Sequence, residues 1–484
     1  MNAVDTRVLG NNTAGLIAGG LALLCLLLVM WTGGVVVATG LVLCAFLIGL
    51  TFFYPERMLL VTLAVSILVS IDISVKHDPF PRVGPTRILL AALYIGTLLN
   101  WWLKRSPARL SLRQLPLLGP ILLYVAAVLL SAVMSIVPLQ SYYAAFTDIV
   151  EQFFLFYLFV SYLRQPGFWN RVQNVVFGTT ALLCLFAFAE EVTQFNPLAG
   201  FFGVDDDLVR GGLLRVRATF YHPIALGCFL ALVFPFVLSA LIQEPKGRRR
   251  TALVILLLAM LATSFFTVSR GPWIAILLES SLFVSWWAWR NMKRVAVIVV
   301  TVACAASALA MLRTNDNFDR MIAPILNPNQ FSLQRTDEAS SEYYRIALLK
   351  AVTDRLEGPH WIYGFGRGTF YLADVRSNYD NADHVLSAGD SHYILLLLET
   401  GIVGLAAFSF LLLAALRACV RRAIDQSGHD RLLALASLGA AAGFVWNNST
   451  ASMFPVLPLS LMFWIPVAAA VTFPSGKRET SVRR

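Results

Sequence analysis

Long apolar runs, separated by short polar connections, recur along almost the whole chain. Backbone groups in lipid must be paired within the spanning segment or in a closed barrel, and unbroken runs of this length predict helices. The pattern indicates about 12–14 transmembrane helices, and therefore an all-α polytopic membrane protein. The runs cover residues 14–31, 34–53, 58–73, 87–103, 116–136, 149–163, 172–190, 223–242, 251–268, 272–289, 295–312, 391–416, 432–449 and 454–472.

One long polar stretch, residues 313–390, interrupts this pattern and is too long for a passive connection. Within it, apolar positions at helical spacing predict an amphipathic helix over residues 340–356, with one face formed by Tyr344, Leu348, Val352 and Leu356. The alternate glycines Gly364, Gly366 and Gly368 predict a tight backbone turn. The chain therefore divides into N-terminal transmembrane helices (1–148), core transmembrane helices (149–312), the long loop (313–390), and C-terminal helices with a tail (391–484).

Composition supports this class and narrows the function. Of the 484 residues, 58% are hydrophobic and 14% are charged, and the mean hydropathy of +0.70 excludes a soluble globular domain. The net charge of +10 does not indicate nucleic acid binding, because most Lys and Arg residues fall on alternate connections, which predicts cytoplasmic N- and C-termini. The six cysteines lie in or beside apolar runs, so neither a disulfide framework nor a cysteine metal site is expected.

Four arginines on the outer side of this topology lie close to helix ends, against the usual distribution: Arg210, Arg215, Arg217 and Arg270. Any one of them could be a snorkelling side chain at the interface. Four together favour an anionic ligand at the outer face, since guanidinium groups bind phosphate in a bidentate manner. Three aspartates at 205–207 in the same loop could suggest a metal, but a solvated acidic turn explains them better.

The junction between the long loop and the next apolar run carries two ionisable residues. His392 lies where the polar segment meets the run, and Glu399 follows on the same helical face, about 10 Å further along the axis. Ionisable groups at membrane depth are costly and favour a functional interpretation. Neutral histidine can accept a proton near pH 7. The alternative is that His392 is an ordinary loop residue and Glu399 a structural partner in the bundle.

The ordered set of outer-face motifs resembles the O-antigen ligase and O-antigen polymerase superfamily, from about residue 150 to residue 472. The motifs that carry the resemblance are Arg217-Ala218-Thr219-Phe220-Tyr221-His222-Pro223, Ser269-Arg270-Gly271, Arg345, Gly364-Phe365-Gly366 with Gly368-Thr369-Phe370, and His392-Tyr393 with Glu399-Thr400-Gly401. The resemblance implies a GT-C-type glycosyltransferase that needs neither a metal nor another cofactor. The implied location is the bacterial inner membrane, with the active face on the periplasmic side.

The resemblance also implies roles for individual residues. His392 would be the general base, while Arg217 and Arg270 would hold the diphosphate of an undecaprenyl-diphosphate-linked glycan donor. Arg345 is a further candidate for the diphosphate. A supporting position next to the reacting groups is expected for His222, Glu399 and Tyr393.

Several functions remain open on the sequence. The leading prediction is a polymerase for an exopolysaccharide or O-antigen that transfers a lipid-linked chain to a saccharide acceptor. The nearest alternative is a ligase that transfers finished glycan to lipid A–core or to a protein. More distant alternatives are a polysaccharide transporter or flippase and a scaffold subunit. The expected partners are the lipid-linked donor, the acceptor and membrane lipids, with a chain-length regulator or flippase of the same pathway as further candidates.

Overall fold

The computed structural model describes residues 35–69, 75–77, 80–83, 85–104, 115–198, 209–210, 213–290, 341–379, 382–385 and 391–472. This part of the chain is built from α-helices, with three short antiparallel hairpins. In the described residues, six helices are long and apolar enough to cross a membrane. The prediction of an all-α polytopic membrane protein is confirmed. The count of 12–14 stays a prediction, because the runs at 14–31 and 295–312 lie outside the described residues.

The first of two units covers residues 1–110. Its helices are α1 (Val35–Phe53), α2 (Pro55–Leu68) and α3 (Pro85–Lys104), with the hairpin β1 (Val75–His77) and β2 (Phe80–Val83) between α2 and α3. One hydrogen bond and one close packing contact tie α1 to α3. Asn100 donates to the Phe52 carbonyl over 2.7 Å, and Gly96 packs so closely on Thr51 that a Cβ at this glycine would lie 2.5 Å from the Thr51 Cβ.

The second unit covers residues 111–484 and carries every predicted site residue. Its main helices are α4 (Leu118–Val133), α5 (Pro138–Asp148), α6 (Leu155–Leu163), α7 (Phe168–Thr193), α8 (Pro223–Gln243), α9 (Arg248–Phe266), α10 (Arg270–Arg290), α13 (His392–Asp425), α14 (Gly428–Thr450) and α15 (Leu457–Thr472). Helix α14 packs against α8, α10, α13 and α15. The middle of this unit is filled by aromatic side chains, among them Tyr124, Phe153, Phe408, Phe454 and Trp464.

Short elements of the second unit lie in the connections. They are the hairpin β3 (Val209–Arg210) and β4 (Leu213–Leu214), helix α11 (Ser341–Arg355), helix α12 (His360–Tyr363), a 3-10 turn (Phe370–Leu372), and the hairpin β5 (Arg376–Tyr379) and β6 (Ala382–Val385). The amphipathic helix predicted at 340–356 is confirmed by α11, whose residues Leu348 and Val352 are buried together with Leu356 just beyond its end. Residues 313–340 of the long loop lie outside the described residues, as do the aspartates at 205–207.

Two of the predicted helices differ from the structure, one in where it begins and one in its shape. Buried polar residues explain the first difference. The run at 149–163 is preceded without interruption by α5, which begins at Pro138 and joins α6 through a π-helical turn, Ile149–Phe154. The segment looked like a polar connection, but Ser141 and Asp148 turn inward and are buried. The second error concerns the run at 391–416, which does not form one straight helix because it breaks at Gly401.

Candidate functional site

His392 is the first residue of α13 and is fully buried. Its Nδ1 lies 2.9 Å from the hydroxyl of Ser452. The rings of Phe408 and Phe454 pack against the imidazole, with centroids 5.1 and 5.4 Å away. Among the described residues, no group hydrogen-bonds to the other ring nitrogen, Nε2. The imidazole is thus held at Nδ1 and packed by two aromatic rings, and Nε2 is left without a hydrogen-bond partner in the part of the chain that the structure describes.

The contact between His392 and Phe408 depends on the break at Gly401. In a straight helix the two residues would lie about 24 Å apart along the axis. Gly401 has φ +63°, so the chain folds back and the second part of α13 packs beside the first. A Cβ at this position would lie 2.3 Å from the carbonyl oxygen of Ile362. Both the backbone angle and the close approach therefore require glycine.

The Gly-Phe-Gly turn of the long loop binds the helix end that this break creates. A helix end leaves its last carbonyls without intrahelical donors. Here the Phe365 N–H donates to the Leu398 carbonyl over 3.0 Å, and the Gly366 N–H donates to the Glu399 carbonyl over 2.8 Å. Ser131 on α4 donates a further hydrogen bond, 2.7 Å long, to the same Glu399 carbonyl. The predicted tight turn is confirmed, and its role is to cap the short helix that begins at His392.

The turn also delivers a buried arginine that sequence reasoning missed. The Arg367 Nε lies 2.8 Å from Oδ2 of Asp148 on α5, its Nη2 lies 3.3 Å from Oδ1, and its Nη1 pairs with Glu399. The Phe370 N–H donates to Oε1 of Glu399 over 3.3 Å. Burial lowers the pKa of Arg367, but the carboxylates of Asp148 and Glu399 outweigh burial and hold it above the ordinary value. Asp148, Arg367 and Glu399 form what we call the buried ion cluster.

Arg217 lies in a backbone turn that is held by a carboxylate. The N–H groups of Arg217 and Ala218 both donate to Glu190 of α7, the shortest contact being 2.7 Å from the Ala218 nitrogen. Ala218 has φ +50°, and Asn196 donates to its carbonyl over 2.9 Å. The Arg217 side chain is buried, and its Nη1 has no hydrogen-bond partner among the described residues. The turn therefore presents a buried guanidinium edge that an anion could occupy.

Arg215 connects this segment to the Ser-Arg-Gly turn. Its Nε donates to the Thr267 carbonyl over 3.1 Å, and its Nη2 donates to the Ser269 hydroxyl over 3.0 Å. Ser269 in turn donates to the Thr267 carbonyl, so its hydroxyl is engaged in this junction. The next residue, Arg270, begins α10. Two predicted arginine motifs, separate in sequence, are thereby joined into one structure.

The C-terminal end of α14 brings the remaining motifs together. Trp446 donates to the Gly271 carbonyl over 3.1 Å, and the Thr450 carbonyl accepts a 3.0 Å hydrogen bond from Nη2 of Arg345. Ser391 donates to the Asn448 carbonyl, and Ser452 contacts His392. Residues 446–452, which we call the α14 end, therefore contact the Ser-Arg-Gly turn, Arg345 and the histidine. The Nε of Arg345 is buried with no hydrogen-bond partner among the described residues.

Residues 253–409 match the family model described as O-antigen ligase. The chain carries a domain of the O-antigen ligase family. The comparison with curated proteins gives no match. The matched O-antigen ligase segment includes Arg270, Arg345, the Gly-Phe-Gly turn, His392 and Glu399, so the resemblance drawn from these motifs is confirmed. Arg217 and the α14 end lie outside the matched segment and join the site through the contacts described above. A function of the ligase or polymerase type in polysaccharide synthesis follows from the domain.

The residues predicted to support the candidate site have defined partners. His222 precedes α8, and its Nδ1 accepts the Ile224 N–H over 3.1 Å as a helix cap. Burial, with Arg215 and Arg217 nearby, lowers the pKa of His222 to about 4, so the side chain is neutral near pH 7. The Tyr393 hydroxyl donates to the Val445 carbonyl of α14 over 2.8 Å.

Two members of the buried ion cluster had only a weak signal in the sequence. Asp148 adjoins an apolar run and Arg367 lies between two glycines, but their pairing joins residues far apart in the chain. Glu399 was singled out in the sequence as a supporting residue, and its carboxylate is directed to Arg367. In the described residues, no group of three His, Cys, Asp or Glu side chains is placed to hold a metal ion.

Proposed function

We propose that this protein is an inner-membrane glycosyltransferase that polymerises a surface polysaccharide, with an undecaprenyl-diphosphate-linked glycan as donor on the periplasmic side. The observation that carries the proposal is the convergence at the α14 end. His392, the Ser-Arg-Gly turn and Arg345 all contact residues 446–452. A base beside the Arg345 guanidinium and beside the turn that carries Arg270 supplies what transfer from a lipid diphosphate to a hydroxyl requires.

In the proposed reaction, Nε2 of His392 accepts the proton of the acceptor hydroxyl. That requires the tautomer in which Nδ1 carries its proton and donates to Ser452, and the 2.9 Å contact allows this tautomer. The acceptor oxygen then bonds to the anomeric carbon while the bond from that carbon to the diphosphate breaks. A single displacement of this kind inverts the anomeric centre.

The arginines stabilise the charge that develops on the departing diphosphate. Arg217 and Arg345 each have a buried guanidinium nitrogen with no hydrogen-bond partner among the described residues, and Arg270 begins a helix whose N-terminus favours anions. Fixed cations stabilise a transition state without reorganisation. The lipid diphosphate is a good leaving group, so the proposed GT-C-type mechanism needs no metal and no other cofactor.

A ligase is the second candidate, and the description of the matched family as O-antigen ligase favours it. It would use the same donor and the same base, and would transfer a finished glycan to lipid A–core or to a protein. The two candidates differ in the species that accumulates when the enzyme is inactive.

The test is complementation of a strain that lacks the gene with the His392→Ala variant. His429→Ala, near the opposite end of α14, is the matched control. Membrane levels of both proteins, surface polysaccharide and lipid-linked intermediates are measured. We expect the control to restore polymer and His392→Ala to accumulate single lipid-linked repeats. Long lipid-linked chains would identify a ligase instead, and normal polymer from His392→Ala would overturn the glycosyltransferase proposal.

A further inference from the structure

We infer that Arg367 is a positioning residue for His392, which it controls through the buried ion cluster and the short helix that ends at Gly401. The inference rests on the proposed function of His392. It concerns a residue of the long loop that does not itself contact His392, and it gives the loop a defined task in turnover.

The short helix, residues 392–400, is held at its two ends by different parts of the molecule. At its start, Ser391 donates to the Asn448 carbonyl and Tyr393 to the Val445 carbonyl, both on α14. At its other end, the Glu399 side chain pairs with Arg367 and its carbonyl is capped by the loop. Because Gly401 interrupts the helix, continuity with the rest of α13 does not fix its rotation. These contacts must fix it.

The contact between Arg367 and α5 fixes the orientation of the guanidinium. Arg367 makes two contacts with Asp148, at 2.8 and 3.3 Å, so the planar guanidinium has one orientation relative to α5. The Tyr124 hydroxyl of α4 adds a 3.4 Å contact to Asp148. The position of Glu399, and with it the rotation of the short helix, is therefore fixed relative to α4 and α5 through the Arg367 side chain.

A role in stability alone explains this cluster poorly. Removing two carboxylates and a guanidinium from water costs much of what their attraction returns, and well-packed apolar residues are often as stable. Directional ion pairs specify one arrangement among several. Rotation of the short helix by about 10° would move an imidazole nitrogen about 6 Å from the helix axis by about 1 Å. A displacement of that size at a reacting group can lower a rate by about 100-fold.

The test compares Arg367→Lys and Arg367→Gln with Arg376→Gln. Arg376 pairs with Asp374 in the same loop, but both side chains are more than half exposed, so Arg376→Gln removes one positive charge at an exposed position of the loop. Turnover is measured with full-length protein in lipid nanodiscs, with lipid-linked repeat units extracted from the strain lacking the gene as the probe. Thermal unfolding is measured on the same preparations, and His392→Ala is assayed in parallel.

We expect both Arg367 variants to lower kcat by about 10-fold or more, with KM for the lipid-linked repeat within about two-fold and Arg376→Gln unchanged. Lysine keeps the charge but loses the fork, so a loss in Arg367→Lys shows that geometry matters and not charge alone. Wild-type kcat in both variants, or failure of both to fold, would overturn the positioning role. Activity in His392→Ala would instead overturn the proposed function.

Discussion

Two histidines, His222 and His392, occupy similar places in the sequence and different ones in the structure. Each stands where a polar segment enters an apolar helix. His222 precedes its helix, and its Nδ1 accepts a hydrogen bond from the Ile224 N–H. His392 is already helical, so its ring does not cap the helix; Nδ1 contacts Ser452, and Nε2 has no hydrogen-bond partner among the described residues. The difference teaches that the nitrogen left available, and not the motif, distinguishes a candidate base from a cap.

Exchange of each histidine for asparagine should separate the two roles most strongly. Asparagine is a good helix cap, so we expect His222→Asn to keep turnover within a few-fold of the wild type. Asparagine has no basic nitrogen, so His392→Asn should lower turnover by at least about 100-fold. The measurement is the initial rate of polymer formation by membranes that contain equal amounts of each protein. Similar losses in the two variants would contradict the distinction.

Gly401→Ala tests whether the His392 environment depends on the fold-back of α13. The variant combines a strained φ of +63° with a contact of 2.3 Å to the Ile362 carbonyl. We expect turnover to fall by about 10-fold or more, because the short helix and Phe408 separate. Gly439→Ala is the control, since its Cβ would lie 3.4 Å from the nearest atom, and it should behave as the wild type. Equal activity of the two variants would show that the break can relax without consequence.

The sequence predicts the transmembrane helices well and the site only in part. Apolar runs determine which segments enter the bilayer, and periodicity identified the buried face of α11. The break at Gly401 escaped notice because glycine within an apolar run is compatible with a helix. The pairing of Arg367 with Asp148 is a long-range contact, and no local pattern encodes such a partner. His222 shows the converse, because the motif marks its place but the hydrogen bond shows its task.

Ser452→Ala should lower turnover less than the substitutions of His392 and Gly401. The Ser452 hydroxyl lies 2.9 Å from Nδ1 and can accept its proton in the tautomer with an unprotonated Nε2. A neutral hydrogen bond contributes about 1 kcal/mol, which corresponds to a loss of about five-fold in turnover. The assay is kcat on lipid-linked repeats, with Ser409→Ala as the control, because Ser409 donates only within its own helix. A wild-type kcat for Ser452→Ala would remove this residue from the mechanism.

Protonation of His222 should lower the stability of the folded protein at acidic pH and have little effect on turnover. The pKa of His222 is lowered to about 4 in the folded protein, against about 6.5 in an unfolded chain. Between these values the unfolded state binds more protons, so the stability that neutral His222 confers is present above pH 6.5 and is lost as the pH falls towards 4. At pH 5 the loss is at most about 2 kcal/mol. Between pH 7 and pH 5, the unfolding temperature should decrease more for the wild type than for His222→Asn, whose cap does not titrate. Equal decreases would mean that His222 does not titrate as its buried, arginine-flanked position predicts.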